Sequence, residues 1–389
     1  MTMAGIDSRA PSSMEPRIDR LECWVLRAPI TEPLANAFGA MRDRPALFLR
    51  ITDNTGACGW GEVFCNFPQV GAEHRARLVS SIFVPLLENF SSSEPAIVRS
   101  MLEQRTRQMA IQCGEPGPFS QITGAIDQAL WDLAARRQGL PVWRLLGGQN
   151  RVRVYASGIG PDQVVELALR KRDEGFRAFK LKVGFGAERD LANLSALRKV
   201  LGEHACIMCD ANQAWQAEQA AEHIAALAPL RPFWMEEPIG ADRPHSEWLS
   251  LARQSPIPLA AGENLRGEAQ FSEAISADYL RFIQPDVGKW GGISAGQAVA
   301  RHAVARRQAY CPHWLGGGVG LAASLHSLAG SGSDQGWAEV DANPNPLREE
   351  VFPLAVEDGW VTLSDAPGLG VQPDLDQLAP YRVSVDGVA

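Results

Sequence analysis

The chain has 389 residues, 46% of them apolar and 21% charged, with a formal net charge of −8. That is enough material for a large core and for two domains, and the acidic balance argues against nucleic acid or an anionic membrane surface as a partner. No apolar run reaches the roughly 18 to 20 residues of a membrane span, and the seven cysteines are scattered, so a reduced, cytoplasmic protein is expected.

The opening residues 1–16, MTMAGIDSRAPSSMEP, hold no apolar stretch of signal-peptide type and are read as a disordered extension. Residues 17–148 are read as an α+β capping domain. RIDRLECWVLRAPI and ALFLRITDNTGACGWGEV carry strand-like runs, with a turn signal at Asp53, Asn54, Thr55 and Gly56. Between the first two strands lies TEPLANAFGAMRDRP, a polar loop long enough to be a lid. The period then changes to helical over AEHRARLVSSIFVPLLENF, EPAIVRSMLEQRTRQM and SQITGAIDQALWDLAARRQG. Pro141 and Gly147-Gly148 mark a boundary.

From 149 to 344, eight short β-like runs alternate with helical stretches: VRVYASG, FKLKVG, ACIMCDAN, PFWMEEP, PLAAGEN, YLRFIQPD, AYCPHW and GWAEVD. Such alternation implies a parallel sheet, and eight units match a (β/α)8-type barrel better than an open sheet. Cys206 and Cys209 have CxxC spacing but no second pair to complete a zinc site. Residues 345–389, with DGWVTLSDAPGLGV, are expected to return to the cap.

FKLKVG poses a question. Lys180 and Lys182 flank one leucine, so a strand aims both ammonium groups the same way. The following strands answer it. Lys182, Asp210, Glu236, Glu263, Asp286, His313 and Glu339 recur at the C-terminal ends of strands two to eight, one βα unit apart. In a barrel those ends surround one mouth, where active sites are built. Asp210, Glu236 and Glu263 are hard oxygen donors that would repel without a divalent cation, and oxygen-only ligation suits Mg²⁺. Glu236 and Glu237 are adjacent, and alternation lets only one point inward. Asn212 shares the face of Asp210 and is a candidate to bind a substrate hydroxyl. Asp286 can fix the tautomer of His313, giving a general base poised near neutral pH. Lys180 and a divalent metal should lower the pKa of Lys182, so that some neutral amine exists to accept a proton. The other six histidines, including His302 and His326, are read as structural or solvated.

The segments GAIDQALWDLAARRQGLPVWRLLGG, FKLKVGFG, DANQAW, WMEEP, AGEN, QPDVGKWGG, CPHW and AEVDANPNPLR, in this order, resemble the enolase superfamily in its mandelate racemase-like branch. A Lys or His base with Mg²⁺ is the known arrangement of that superfamily. The resemblance implies that Asp210, Glu236 and Glu263 bind Mg²⁺, with Mn²⁺ as a substitute, and so chooses Glu236 over Glu237. It implies Lys182 as one base, assisted by Lys180, His313 with Asp286 on the opposite face, and Glu339 as the acid that hydrogen-bonds the developing enolate. Asp286 stands where the muconate lactonizing and dipeptide epimerase branches have a catalytic lysine, which disfavours those activities; Lys289 is read as structural. The implied chemistry is removal of the proton α to a carboxylate of a small molecule. Dehydration of an aldonate or aldarate to a 2-keto-3-deoxy acid is the leading expectation, with lactone cycloisomerisation or racemisation as alternatives. A non-catalytic scaffold would leave gaps in the array, and an aldolase or hydrolase would not need paired lysines opposite His–Asp. In the cap, Arg42, Arg44 and Asn66, beside Phe67, are candidate substrate contacts. A homo-oligomer is expected.

Overall fold

The computed structural model describes residues 17–36, 39–88 and 90–388; the expectation for residues 1–16 lies outside them. Three strands, β1 (Ile18–Asn36), β2 (Gly39–Asp53) and β3 (Cys58–Val63), form an antiparallel meander. The β2–β3 turn is closed by Asp53, whose Oδ1 accepts from the Thr55 amide at 2.7 Å and the Ala57 amide at 3.0 Å, while Gly56 supplies φ of 85°. The polar stretch expected as a lid loop is instead hairpin: the β1–β2 ladder pairs Leu34 with Met41 and Asn36 with Gly39. A register shift between Pro29 and Leu34 absorbs the prolines, so the ladder resumes beyond them.

Helices α1 (Gly71–Leu78), α2 (Pro95–Gln112) and α3 (Pro116–Arg137) complete this layer. Gly59 and Gly61 explain why α3 lies directly on β3. A Cβ on Gly59 would stand 2.1 Å from the Ala129 carbonyl oxygen, and one on Gly61 2.0 Å from that of Ala125. The helix then caps exposed strand amides: Asp132 accepts from Trp60 N–H at 2.8 Å and Gln128 from Glu62 N–H at 3.1 Å.

Eight parallel strands follow in chain order: β4 (Arg151–Ile159), β5 (Ala178–Lys182), β6 (Cys206–Asp210), β7 (Met235–Glu236), β8 (Leu259–Ala261), β9 (Phe282–Ile283), β10 (Ala309–Tyr310) and β11 (Ala338–Asp341). They form one curled barrel-type sheet in which β11 returns to pair with β4, and β10 ends the path. Helices α4 (Val164–Asp173), α5 (Ala187–Leu201), α6 (Ala217–Leu227), α7 (His245–Gln254), α8 (Gly267–Ala277), α9 (Gly292–Ala305) and α10 (Gly318–Ala329) connect them. Along these strands the inward-facing residues turn from apolar to polar or charged within two positions.

That change stacks the interior in layers. Tyr155, Ala178, Met208, Trp234, Phe282 and Cys311 make a dry floor. Two residues further along their strands stand Ser157, Lys180, Asp210, Glu236, Gln284 and His313, on the same inner face and buried. The segment after 345 serves both layers. β12 (Trp360–Thr362) pairs antiparallel with β4, whereas the Val383 amide bonds the Val25 carbonyl at 2.9 Å and Val385 joins the cap core. Between the layers, Trp24, Leu26, Phe48 and Trp60 pack on Val287, Ile293, Val319 and Leu347. Among the described residues no helix is long and apolar enough to cross a membrane, and all seven cysteines are free.

Candidate active site

The strand ends open into a cavity of about 1130 Å³ between barrel and cap. Lys182 of β5 and His313, three residues past β10, line the same cavity although their strands stand at distant points of the sheet order. Lys182 Nζ lies 2.5 Å from Asp210 Oδ2 and donates to Asn212 Oδ1 at 2.7 Å. Asn212 reaches that position at φ of 44°, its own amide bonded to Asp210 Oδ1 at 2.8 Å. Lys180, fully buried one layer deeper, lies 2.5 Å from Glu236, 2.9 Å from Glu339 and 3.5 Å from Asp210, with its ammonium 5.4 Å from the Tyr155 ring centroid.

Burial lowers the pKa of Lys182 and Lys180 adds to that, as expected, but Asp210 and Glu236 together outweigh them and the net shift is upward. For Lys180, burial is likewise overcome by Glu236 and Glu339, and its pKa is raised well above that of a free lysine. Asp286 Oδ2 lies 2.6 Å from His313 Nδ1, and Asp286 Oδ1 accepts from the Gly288 amide at 2.7 Å. His313 Nε2 therefore faces the cavity, 3.2 Å from Glu263 and 3.6 Å from Glu339. Burial opposes its charge, yet Glu263, Glu339 and Asp286 together push it up to about 9, not to the neutral range. Against burial, Lys180 and His313 hold the pKa of Glu339 below the ordinary value, and Ser157 donates to its Oε1. Its other oxygen is buried without a hydrogen-bond partner among the described residues.

Both members of the adjacent glutamate pair reach the interior, which strict alternation forbids. Glu236 sits at the end of β7 with Gln284 Nε2 at 2.6 Å and Trp234 Nε1 at 3.2 Å. Glu237 then adopts φ of 39°, leaving strand geometry, so that its carboxylate lines the cavity and accepts from Asn264 at 2.9 Å and Gln213 at 3.1 Å. Burial raises Glu236 to about 7 and Glu237 to about 8. Glu263 is off phase as well, since Gly262 at φ of 150° lets the chain press against Gln284. Although burial raises the pKa of Glu263, His313 and Lys289 together keep it well below the ordinary range. Lys289, read from sequence as structural, stands in the cavity wall paired with Glu263, its ammonium 4.6 Å from the Phe64 ring centroid. The direction of its side chain follows from the turn after Asp286, which has no periodic signature.

Among the described residues no three His, Cys, Asp or Glu side chains are gathered as metal ligands. The donor set nevertheless fits a hard divalent cation. Asp210, Glu236 and Glu263 come from consecutive strands, and Asp210 is in register with Glu236. Six buried carboxylates (Asp210, Glu236, Glu237, Glu263, Asp286 and Glu339) converge here with Lys180, Lys182, Lys289 and His313, and a divalent cation would supply the charge that lets Glu236 and Glu237, whose pKa burial raises, ionise.

The cap candidates separate. Arg44 lines the cavity but is buried and committed to Asp341, with Met41 Sδ at 3.7 Å from its Nη1. Arg42 is exposed and away from the cavity lining, because it lies opposite the register shift between Pro29 and Leu34, where the alternation that would put it on the face of Arg44 is broken. Asn66 is buried and donates to the Leu315 carbonyl at 2.6 Å, so it ties cap to barrel and does not meet the cavity, whereas Phe67 does.

Residues 21–147 match the model of the mandelate racemase / muconate lactonizing enzyme N-terminal domain, and residues 163–377 that of the enolase C-terminal domain-like family. A crystal structure described as a mandelate racemase/muconate lactonizing enzyme from Bordetella bronchiseptica RB50 superposes with a TM-score of 0.89 at 47% identity, covering 94% of this chain and 99% of that one. D-galactarolactone cycloisomerase of Agrobacterium fabrum is 30% identical over 94% of this chain and 99% of its own length. D-galactonate dehydratase of Ralstonia nicotianae is 31% identical over 85% of this chain and 89% of its own.

Proposed function

The chain belongs to the mandelate racemase / muconate lactonizing enzyme family of the enolase superfamily, and on that premise we propose that it removes the proton α to the carboxylate of a hydroxylated sugar acid and expels the β-hydroxyl as water. The observation that carries this reading is the pairing of Lys182 with a His313–Asp286 dyad on the wall of one cavity. Asp210, Glu236 and Glu263 would hold Mg²⁺, or Mn²⁺ in its place. The ion would supply positive charge against the substrate carboxylate as negative charge develops there.

Lys182 takes the α-proton on its side of the substrate, after Nζ gives up a proton to bulk water through the open cavity. Lys180 stays charged beneath it and donates toward the oxygen on which charge accumulates. His313, oriented by Asp286 at Nδ1, presents Nε2 to the other face. Its Nε2–H protonates the departing β-hydroxyl as the Cβ–O bond breaks, and the enol left behind tautomerises to the 2-keto-3-deoxy acid. Asn212, beside Lys182, is placed to bind a substrate hydroxyl. Glu339, with one oxygen unpartnered, accepts a hydrogen bond from the substrate.

A second reading has its own support: the cycloisomerase relative matches over almost its whole length. There the leaving group is a lactone ring oxygen and the mass of the product is unchanged. The partner in either case is a small-molecule carboxylate, and we read the protein as a cytoplasmic homo-oligomer. The test is incubation with Mg²⁺ and pooled aldonates, aldarates and their lactones, with mass spectrometric readout. Loss of one water from a single sugar acid supports dehydration. A lactone that changes connectivity at constant mass replaces it with cycloisomerisation, and silence across the pool overturns the substrate class.

A further inference from the structure

On its cap side the cavity is walled by Phe67, Pro68, Arg75 of α1 and Gln121 of α3, with Arg266 entering from the barrel. Arg75 is only 4% exposed. Its hydrogen bonds run from Nε to Gln121 Oε1 at 2.6 Å, from Nη1 to the Gly71 carbonyl at 2.9 Å and from Nη2 to the Phe67 carbonyl at 3.3 Å. All three acceptors are neutral. A guanidinium has five N–H donors, so two remain on its outer nitrogens. Burying such a cation without a counter-ion is costly, and burial pulls its pKa down here. The other buried or half-buried cations of the cavity wall are paired: Arg44 with Asp341, His313 with Asp286, Lys289 with Glu263 and Lys182 with Asp210. The acid that acts on Arg75, Glu115, is itself 2.9 Å from His74. A second guanidinium stands close by. Arg266 Nη1 would be 3.3 Å from a Cβ on Gly117, and its charge adds to the strain on Arg75.

We propose that Arg75, flanked by Arg266, is an anion subsite on the cap side of the cavity, and that the substrate carries a second carboxylate which this subsite binds. The planar fork of Arg75 suits a carboxylate, and the cavity has room for a ligand that spans from the lysine cluster to the cap. The substrate class becomes the aldaric acids or their monolactones, in preference to aldonic acids. The choice of sugar diacids rests on the α-proton reading above; the anion subsite does not.

The test separates the two. Calorimetric titration of the full chain with Mg²⁺ uses succinate, glutarate and adipate, each against the monocarboxylate of equal length. The proteins are wild type, Arg75→Gln, Arg75→Lys and Arg266→Gln, each checked by circular dichroism melting. The best dicarboxylate is expected to bind wild type at least tenfold more tightly than its monocarboxylate. Arg75→Gln should erase that ratio, Arg75→Lys should keep part of it, and Arg266→Gln should reduce it less. An unchanged ratio in Arg75→Gln overturns the subsite, as does equal loss of both ligand types, which would make Arg75 only a brace for the Phe67–Gly71 turn. Turnover of matched aldarates and aldonates is then compared. If dicarboxylate binding depends on Arg75 but no aldarate exchanges its α-proton, the subsite stands and the α-proton reading fails.

Discussion

His326 offers a test of how this interior treats charge. Its ring is buried inside α10, and Nδ1 accepts the Trp143 amide at 2.9 Å. Burial lowers its pKa from 6.5 to about 3, with a backbone hydrogen bond at Leu369 opposing. The native state thus refuses a proton that the unfolded chain accepts below 6.5. His326 contributes stability that is fully present above pH 6.5 and is lost as pH falls toward 3. At about 1.4 kcal/mol per pH unit, the loss is about 2 kcal/mol at pH 5. With an unfolding entropy of about 2 cal/mol/K per residue, that is a melting shift of roughly 2 to 3 °C for this chain. The assay is differential scanning fluorimetry of wild type and His326→Gln from pH 7.5 to 5. Glutamine keeps an acceptor and cannot titrate, so any packing offset is common to every pH. The gap between the two melting temperatures should move against wild type by that amount as the pH is lowered. A gap constant to within 1 °C, or a His326 ring seen by NMR to protonate above pH 5, would refute the reasoning.

Three other perturbations have expected outcomes. Gly61→Ala places a methyl 2.0 Å from the Ala125 carbonyl, so α3 must leave β3; denaturant unfolding should show a loss of about 3 kcal/mol or more. Arg44→Ala leaves Asp341 with the neutral Asn343 amides and, as its remaining cation among the described residues, Arg348 at 3.6 Å, and should cost about 3 kcal/mol; adding Asp341→Ala should recover much of this, and full additivity of the two losses would contradict a direct pair. Glu236→Gln should weaken Mg²⁺ binding at least 100-fold by calorimetry while Glu237→Gln weakens it less than tenfold; the reverse order would move the ligand role to Glu237.

Much of the site was legible because a βα unit recurs every 23 to 28 residues and returns each strand end to the same rim. That spacing brought Lys182, Asp210, Glu236, Asp286 and His313 together before any coordinates. What stayed hidden depends on contacts far apart in sequence or on local departures from strand geometry. Arg44 reads as a candidate substrate contact until Asp341, 297 positions on, packs against it. Glu237 enters the cavity only through a left-handed φ, and Lys289 only through the turn after Asp286. The net pKa directions of Lys182 and His313 were not legible: the sequence shows the neighbouring Lys180, but carboxylates from other strands decide the balance. Arg75 carried no periodic or motif signal at all.

Lys182 is proposed to take the α-proton and His313 to expel the β-hydroxyl, from two sides of one substrate in one cavity. Deuterium wash-in from D₂O, with Mg²⁺ and the sugar acid that reacts, tests it in wild type, Lys182→Ala and His313→Asn. Wild type is expected to form deuterated keto acid, Lys182→Ala to lose α-exchange by about 10² to 10⁴-fold, and His313→Asn to retain exchange while losing dehydration. Dehydration at the wild-type rate in Lys182→Ala, or exchange abolished by His313→Asn alone, would contradict it.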